Sequence, residues 1–347
     1  MTKVLIIGAG SIGNHLCQAA RAMDWSVTVC DIDPRALARM SRDIYPTRYG
    51  AWDSEIKLVG PSGVSSDDKF DIICIGTPPD SHMKIALEAI QRSPRVLHIE
   101  KPLFTPLDDL VPFCQKLHVA EDVMVTVGYD HAVAPSVTRA LQYVTDGSLG
   151  KVQAIQSRTL EHWKGIFGAH PWLAGPHDSY LGFWRRGGGA LSEHSHALHL
   201  GFIVAKAAGW DKLQLNQVAQ SMVEGDKDEN YDQLSSLQFS PSNGSGVLSV
   251  TQDVITYPTE KSFRVIGSEA TLDVSLSGAL DIVTIHRGGV DPTVEKFEKT
   301  RPDDFLALMQ HYNGLLKGEI VYSSSPVHID TGLAVMEIIQ EAFKKQQ

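Results

Sequence analysis

The first third of the chain alternates short apolar runs with stretches in which apolar residues recur at helical spacing. The apolar runs are residues 4–7, 27–30, 71–75, 96–99 and 123–127. Runs of this length without apolar-polar alternation are typical of strands covered on both faces of a parallel sheet. Between two of them, Ile85, Ala89 and Ile90 share one helical face. Strands that alternate with helices predict a doubly wound parallel sheet that closes near residue 128.

Beyond residue 128 the pattern changes to a succession of strands. Strand-like runs occupy residues 151–155, 213–218, 234–239, 247–250, 263–266 and 280–286, and a Pro-Ser-Asn-Gly-Ser-Gly stretch between two of them is a hairpin signal. Helical spacing returns near the end, up to Gly318 and again from Leu333 to Phe343. This succession predicts an α+β domain with a mainly antiparallel open sheet. A chain of 347 residues exceeds the size of one core, so we expect two domains, 1–128 and 129–347.

Composition narrows the classes of partner. The formal net charge is −10 and the isoelectric point is near 5.7, which argues against a nucleic-acid or anionic-membrane partner and leaves a small molecule as the expected ligand. The start of the chain has no secretory signal pattern, and no apolar run is long enough to span a bilayer. The four cysteines are scattered without metal-binding spacing. We therefore expect a cytoplasmic protein with reduced thiols and no metal site.

A glycine-rich turn follows the first apolar run. Gly8-Ala9-Gly10-Ser11-Ile12-Gly13 has the G-x-G-x-x-G spacing between a strand and a helix. In that context Gly8 permits the tight turn, Gly10 lets the backbone approach a pyrophosphate and Gly13 lets the helix pack on the strand. The helix N-terminus then binds the diphosphate, with Ser11 and Ile12 in its first turn. The turn predicts a dinucleotide site.

An acidic residue ends the second apolar run. Asp31 follows Gly13 by 18 residues, where a carboxylate accepts hydrogen bonds from the adenosine ribose hydroxyls and repels a 2′-phosphate. NAD is therefore expected rather than NADP. The alternative is that Asp31 or Asp33 caps the next helix, at whose first turn Pro34 sits well. Both roles are compatible, with Asp33 as the cap.

A lysine stands just past another strand end. The run 96–99 stops at Glu100-Lys101-Pro102. The carboxyl ends of strands in an open α/β sheet face the crevice where ligands bind, so Lys101 is expected to point at cofactor or substrate. Pro102 biases Lys101 away from helix and holds it extended. The alternative is a surface lysine beside a turn.

Candidate catalytic and binding side chains are most concentrated in residues 161–200, which contain six of the fourteen histidines and three of the six tryptophans. Three glycines, 187–189, precede a stretch expected to be one helix with Glu193 and His196 on one face, and a carboxylate beside an imidazole is suited to acid-base work. Trp163 could stack on a sugar and Arg185 and Arg186 could hold an anion, against the alternatives of core packing and solvated charge. A metal site on the His194-x-His196-x-x-His199 spacing lacks a completing cysteine or paired carboxylate.

These motifs together resemble the glucose-fructose oxidoreductase and inositol dehydrogenase family (Gfo/Idh/MocA). The resemblance covers the whole chain and rests on the glycine turn, Asp31, a strand ending in Gly76-Thr77-Pro78 with His82 after it, Glu100-Lys101-Pro102, Gly128-Tyr129 with Pro135 downstream, and the glycine run followed by an acid and a histidine. Glu193 stands where many members have aspartate, the histidine is three residues on rather than four, and Ala132 stands where many have arginine.

The resemblance implies an N-terminal Rossmann domain with NAD or NADP bound, and a C-terminal domain whose open sheet serves as an oligomer interface. It also implies redox chemistry on a sugar or cyclitol hydroxyl. Thr77, Pro78, His82 and Glu100 would join Lys101 around the cofactor.

The sequence thus predicts an NAD-dependent dehydrogenase or reductase for a sugar, sugar derivative (nucleotide sugars included) or cyclitol. Lys101 and His196 are the expected acid-base groups, with Glu193 as a third catalytic candidate. The substrate would contact Lys101, His196, Trp163, Arg185 and Arg186. A homodimer or homotetramer is expected. The alternative is a relative that binds NAD as a regulator or structural protein without turnover, because fold alone does not establish function.

Overall fold

The computed structural model describes residues 1–168, 170, 172–225 and 227–345, and for Arg301 the backbone only. The strands are β1 (Lys3–Ile7), β2 (Ser26–Cys30), β3 (Lys57–Val59), β4 (Ile72–Ile75), β5 (Val96–Ile99), β6 (Met124–Val127), β7 (Val152–Leu160), β8 (Leu213–Glu224), β9 (Asn230–Pro241), β10 (Val247–Asp253), β11 (Glu260–Gly267), β12 (Ala270–Leu276), β13 (Leu280–Arg287) and β14 (Thr293–Glu298). The α-helices are α1 (Ser11–Ala22), α2 (Pro34–Arg39), α3 (Tyr45–Tyr49), α4 (His82–Ile90), α5 (Val111–Val119), α6 (Pro135–Thr145), α7 (Trp163–Gly168), α8 (Gly189–Glu193), α9 (His196–Ala207), α10 (Arg301–Lys317) and α11 (Ile329–Lys344).

The chain forms two compact units. The first unit consists of residues 1–104, 108–130 and 302–329, and the second of residues 105–107, 131–301 and 330–347. The change at Asp130–His131 lies close to the expected boundary at residue 128. The expectation that residues 129–347 form a single domain differs from the structure, because 302–329 is part of the first unit.

The first unit is built on a six-stranded parallel sheet with the strand order β3-β2-β1-β4-β5-β6. Every residue of β4 and β5 is buried, which explains why these strands are apolar in sequence apart from His98. Helix α1 packs on β1 and β2, and α4 packs on β4 and β5. In this strand order β1, β4 and β5 are neighbours, so their carboxyl ends lie side by side.

The second unit is built on an eight-stranded sheet with the order β14-β13-β12-β11-β7-β10-β9-β8. Its pairings are antiparallel except for β7 with β10. Helix α9 packs on β7, β10 and β11, and α6 packs on β12 and β13. Side chains alternate along β11 and β12, so the face covered by these helices carries Phe263, Val265 and Leu272, whereas the opposite face carries Arg264 and Asp273.

The expected fold class is therefore confirmed: a parallel doubly wound sheet followed by a mainly antiparallel one. Three of the described strands were not predicted. β3 is only three residues long, β12 follows β11 after a two-residue turn, and β14 carries charged residues along an exposed edge. Among the described helices, none has both the length and the apolar character needed to cross a membrane.

Candidate functional site

The glycine turn connects β1 to α1. Gly8 has φ of +110°, and a Cβ there would lie 2.7 Å from the carbonyl oxygen of Gly76. A Cβ on Gly13 would lie 2.0 Å from the carbonyl oxygen of Gly8. A Cβ on Gly10, in contrast, would meet no described atom within 4 Å beyond its chain neighbours, so open space faces the backbone at this point. Two glycines thus serve the fold, and the third leaves room for a ligand.

The N-terminus of α1 fits an anionic group. Gly10 is its N-cap, no side chain caps it, and its first turn holds no acidic residue. The uncapped first-turn amides and the positive end of the helix dipole favour a phosphate there. Ser11 and Ile12 are half-buried in this turn. These residues fit the diphosphate of a dinucleotide cofactor.

Asp31 fastens the end of β2 to the glycine turn. One carboxylate oxygen accepts a hydrogen bond from the Ala9 amide at 2.7 Å, and the other accepts one from the Asp33 amide at 2.8 Å. Asp33 is the N-cap of α2 and accepts from the Arg35 amide at 2.9 Å. Asp31 is therefore not the helix cap. It remains half-buried, and a carboxylate has further lone pairs for ribose hydroxyls.

His82 joins the loop after β4 to the segment after β5. Its Nε2 lies 2.8 Å from the Thr77 carbonyl oxygen, and its Nδ1 lies 3.1 Å from that of Pro102 and 3.2 Å from that of Leu103. The ring is fully buried, and this burial lowers its pKa. Because His82 has no exposed surface, it cannot contact a ligand directly, and its role is to hold these two loops in place. Pro78 in the same loop is exposed.

Glu100 and Lys101 lie at the carboxyl end of β5. Glu100 is only 5% exposed, and one of its carboxylate oxygens accepts a hydrogen bond from the Lys101 amide at 3.2 Å. The Lys101–Pro102 peptide bond is cis, and Lys101 is half-buried. Since β5 follows β4 and β1 in the sheet, Lys101 and the glycine turn occupy the same edge of one parallel sheet. The first unit brings together the cofactor-binding residues expected from the sequence.

In the second unit, the expectation of a single helix after the glycine run is wrong. α8 ends at Glu193, and α9 begins at His196, so the two residues do not share a face of one helix. The carboxylate of Glu193 instead accepts a hydrogen bond from the hydroxyl of Tyr180 at 3.0 Å. Tyr180 lies outside every motif noted in the sequence, and its contact gives Glu193 a fixed orientation.

His196 has an imidazole neighbour that sequence reasoning missed. The rings of His131 and His196 have centroids 4.7 Å apart and are tilted by 41°, and both are half-buried. His194 and His199 are 4% and 1% exposed, so of the three clustered histidines His196 is the one with accessible surface. No spacing rule could indicate His131, because α6, β7, α7 and α8 lie between it and the histidine cluster.

The three expected substrate contacts other than Lys101 and His196 lie in two environments. Trp163 is 8% exposed and packs in a cluster with Leu181, Ala190, Tyr231 and Val254. Arg185 and Arg186 are exposed, and their guanidinium groups lie over the rings of Trp184 and Phe183 at 4.8 and 6.0 Å. The packing alternative therefore describes Trp163 well, whereas the two arginines keep surface for an anion.

Comparison with known proteins identifies the first unit. Residues 2–129 match the family model described as GFO_IDH_MocA, an oxidoreductase family with an NAD-binding Rossmann fold. The matched segment includes the glycine turn, Asp31 and Lys101. The match agrees with the expected resemblance and confirms the oxidoreductase class and the NAD cofactor. A comparison with curated proteins found no match to this sequence.

Solved structures of this oxidoreductase type are similar over almost the whole chain. Levoglucosan dehydrogenase in complex with NADH and levoglucosan has a TM-score of 0.76 at 17% identity, covering 100% of this chain and 98% of that one. An inositol dehydrogenase homologue from Azotobacter vinelandii in complex with NAD⁺ has a TM-score of 0.75 at 14% identity, covering 99% and 95%. A 3-ketoreductase from Actinomadura kijaniata in complex with NADP and TDP-benzene has a TM-score of 0.73 at 14% identity, covering 99% and 97%. At these identities the similarity concerns the fold.

Proposed function

We propose that the protein is an NAD-dependent dehydrogenase or reductase that moves a hydride between nicotinamide and a CH–OH or carbonyl carbon of a sugar, a sugar derivative or a cyclitol. The observation that carries the proposal is that the glycine turn and Lys101 lie at the carboxyl ends of β1 and β5, and so on the same side of one parallel sheet. The similar structures bind levoglucosan or a TDP compound, or are named after inositol, and this supports the substrate class.

The residues of the first unit divide the work of holding the cofactor. The amides at the start of α1 bind the diphosphate, Asp31 binds the adenosine ribose, and the loops held by His82 border the rest of the site. When bound, the nicotinamide accepts or supplies the hydride, and the protein provides orientation and proton transfer. Lys101 polarises or protonates the reacting oxygen.

His196 of the second unit exchanges the substrate proton as a general acid-base group. An imidazole has a pKa suited to gaining and losing a proton near neutral pH, and His196 keeps accessible surface. Glu193 is held by Tyr180, which suits a fixed acid or orienting carboxylate. Arg185 and Arg186 would meet an anionic part of the substrate, such as the phosphates of a nucleotide sugar. A cytoplasmic location and a homo-oligomeric state complete the proposal.

The test is kinetic and uses a panel of sugars, nucleotide sugars and inositols with NAD, followed by variants on the best substrate. Lys101→Met and His196→Ala should each lower kcat by about 10²- to 10⁴-fold, because general acid-base groups contribute that much, while NAD affinity stays nearly unchanged. Glu193→Gln should lower kcat less than either if the carboxylate orients rather than transfers a proton.

The buried neighbours of His196 provide matched controls. His194→Ala and His199→Ala remove imidazoles from the same segment and should cost much less of kcat than His196→Ala. Full turnover by Lys101→Met would remove Lys101 from the mechanism. Tight NAD binding with no nicotinamide absorbance change on any panel member would favour the alternative, a cofactor-binding regulator without turnover.

A further inference from the structure

The first unit contains a buried line of hydrogen-bonding side chains that ends at Glu100. The hydroxyl of Tyr312, on α10, lies 2.6 Å from Nδ1 of His98, and Nε2 of His98 lies 3.2 Å from a carboxylate oxygen of Glu100. The Thr126 hydroxyl lies 3.0 Å from the Tyr312 oxygen. Thr126, Tyr312 and His98 are all 0% exposed. We call these four residues the buried relay.

We propose that His98 and Tyr312 are positioning residues, which hold the Glu100 carboxylate and through it the Lys101 backbone in the geometry that catalysis requires. The inference rests on the proposed function, because it concerns the same Lys101. Neither residue belongs to a motif noted in the sequence.

The hydrogen bonds give the relay one direction. A carboxylate oxygen of Glu100 accepts, so we assign to His98 the tautomer whose Nε2 carries the proton it donates. In that tautomer Nδ1 accepts from the hydroxyl of Tyr312. That hydroxyl in turn accepts from Thr126, whose alternative acceptor, the Leu97 carbonyl, lies 3.5 Å away. Burial raises the pKa of Tyr312 well above its ordinary value, so its hydroxyl keeps the proton it donates.

The far end of the relay fixes the backbone at Lys101. The second oxygen of Glu100 accepts the Lys101 amide at 3.2 Å. On another side the carboxylate lies against Gly128, where a Cβ would come within 2.7 Å of it. Glu100 is thus confined between an imidazole donor, an amide donor and a glycine, and it has little freedom to turn. A displacement of this carboxylate would displace the Lys101 amide with it.

Packing alone does not explain these side chains. His98 stands between Leu97 and Ile99 in a strand whose every residue is buried, and a branched apolar residue would suit such a position. A buried imidazole or phenol hydroxyl lowers stability unless each polar group is paired. Here the hydrogen bonds run from Tyr312 through His98 to the Glu100 carboxylate, next to Lys101. Supporting hydrogen bonds of this kind hold reacting groups in productive geometry.

The experiment compares four variants of the full chain on the panel substrate that the wild type turns over best. Tyr312→Phe and His98→Leu should lower kcat by about 10- to 100-fold, the loss expected for a small misplacement of a reacting group. NAD affinity should change much less than kcat, since neither side chain is itself placed at the cofactor. His98→Gln should recover part of the loss, because a glutamine amide can donate to Glu100 in place of Nε2.

Tyr322→Phe is the matched control. It removes a tyrosine hydroxyl of the same unit that is hydrogen-bonded to the backbone of Val125 on β6 rather than to the His98 or Glu100 side chain. Its kcat should equal that of the wild type. If it falls as far as that of Tyr312→Phe, the effect is general loosening and the positioning role is overturned.

A measurement independent of turnover uses ¹⁵N NMR of histidine-labelled protein. His98 should carry a proton on Nε2, and Tyr312→Phe should shift its Nδ1 resonance. A ring with its proton on Nδ1 alone would overturn the relay, because Nε2 could not then donate to Glu100. Full turnover by Tyr312→Phe together with a loss in Lys101→Met would overturn the positioning role and leave the proposed function standing. Full turnover by Lys101→Met would instead overturn the role of Lys101 itself.

Discussion

At the scale of single residues, Asp31 has a structural role in addition to the recognition role that we propose for it. Both of its carboxylate oxygens accept backbone amides, so the residue shapes the glycine turn before any cofactor binds. The same negative charge at the end of β2 disfavours a 2′-phosphate. One side chain can serve both purposes because each carboxylate oxygen accepts more than one hydrogen bond.

The wild type should therefore bind NAD more tightly than NADP by at least about tenfold, or about 1.4 kcal/mol. Asp31→Ala should erode the preference, and it should also weaken both cofactors because the Ala9 amide loses its acceptor. Fluorescence titration with each reduced cofactor measures both effects. Asp33→Ala is the control: it removes the cap of α2 and should leave the preference unchanged. A wild type that favours NADP tenfold would show the assignment of Asp31 to be wrong.

The candidate residues that could be located from the sequence are those that a local sequence pattern indicates. The glycines, Asp31 and Lys101 follow strand ends, and a local pattern is enough to locate them. His131 beside His196, Tyr180 at Glu193 and Tyr312 at His98 were not predictable, because each contact joins segments that only the folded chain brings together. His98 and Tyr312, for example, are separated by 214 positions.

At the scale of elements, the break between α8 and α9 shows where periodicity is insufficient. Residues 189–200 have a composition compatible with one continuous helix, yet α8 has five residues and a new helix begins at His196. The N-terminus of α8 is held by Asp232 of β9, whose carboxylate accepts from the Leu191 amide at 2.8 Å and the Ser235 hydroxyl at 2.6 Å. A tertiary contact, rather than local propensity, thus decides where α8 lies.

This contact predicts a pH dependence of stability. Burial raises the pKa of Asp232 to about 7, well above the value near 4 that an unfolded aspartate has. The folded state therefore binds this proton more tightly than the unfolded state. Its contribution to stability is complete below about pH 4 and is lost as the pH rises through about 7. Burial lowers the pKa of the His311 imidazole to about 4, and this makes stability change with pH in the opposite direction. The pH dependence of wild-type stability alone therefore does not isolate the contribution of Asp232.

The difference between wild type and a variant does isolate it. Asp232→Asn has nearly the same shape and cannot ionise. The wild-type Tm minus the Asp232→Asn Tm should fall steadily from pH 5 to pH 8, because only the wild type must either keep a proton on this carboxyl or bury its charge. Differential scanning calorimetry at several pH values measures this difference. A difference that stays flat, or rises, would contradict the raised pKa.

At the scale of the whole molecule, the sequence did not allow us to predict that residues 302–329 belong to the first unit. The helical spacing of α10 was visible, and so was its position after a series of strands. Periodicity shows that a helix has a buried face, but not which sheet covers that face. Arg95 and Tyr312 show the consequence, since the Arg95 side chain donates to the carbonyl of Leu316 and Tyr312 reaches His98.

The two faces of the second unit's sheet differ in character. Helices α6 and α9 cover one face, and the other presents charged side chains such as Arg264, paired with Asp273 at 2.5 Å, and Arg158, paired with Glu260 at 3.4 Å. The resemblance implied an oligomer interface on the open sheet, and this face of the sheet carries charged side chains. If a second copy of this chain covers it, charge complementarity must contribute to the interface.

We expect light scattering after gel filtration to give a mass of two or four times 38.0 kDa at micromolar concentration. Arg264→Glu places a negative charge beside Asp273 on this face, and like charges brought together there should shift the mass towards the monomer. Lys206→Glu makes the same charge change at an exposed position of α9, on the other side of the sheet, and should leave the mass unaltered. A wild-type mass near 38 kDa would refute the oligomer. Equal dissociation by both variants would instead show that net charge, rather than this face, controls assembly.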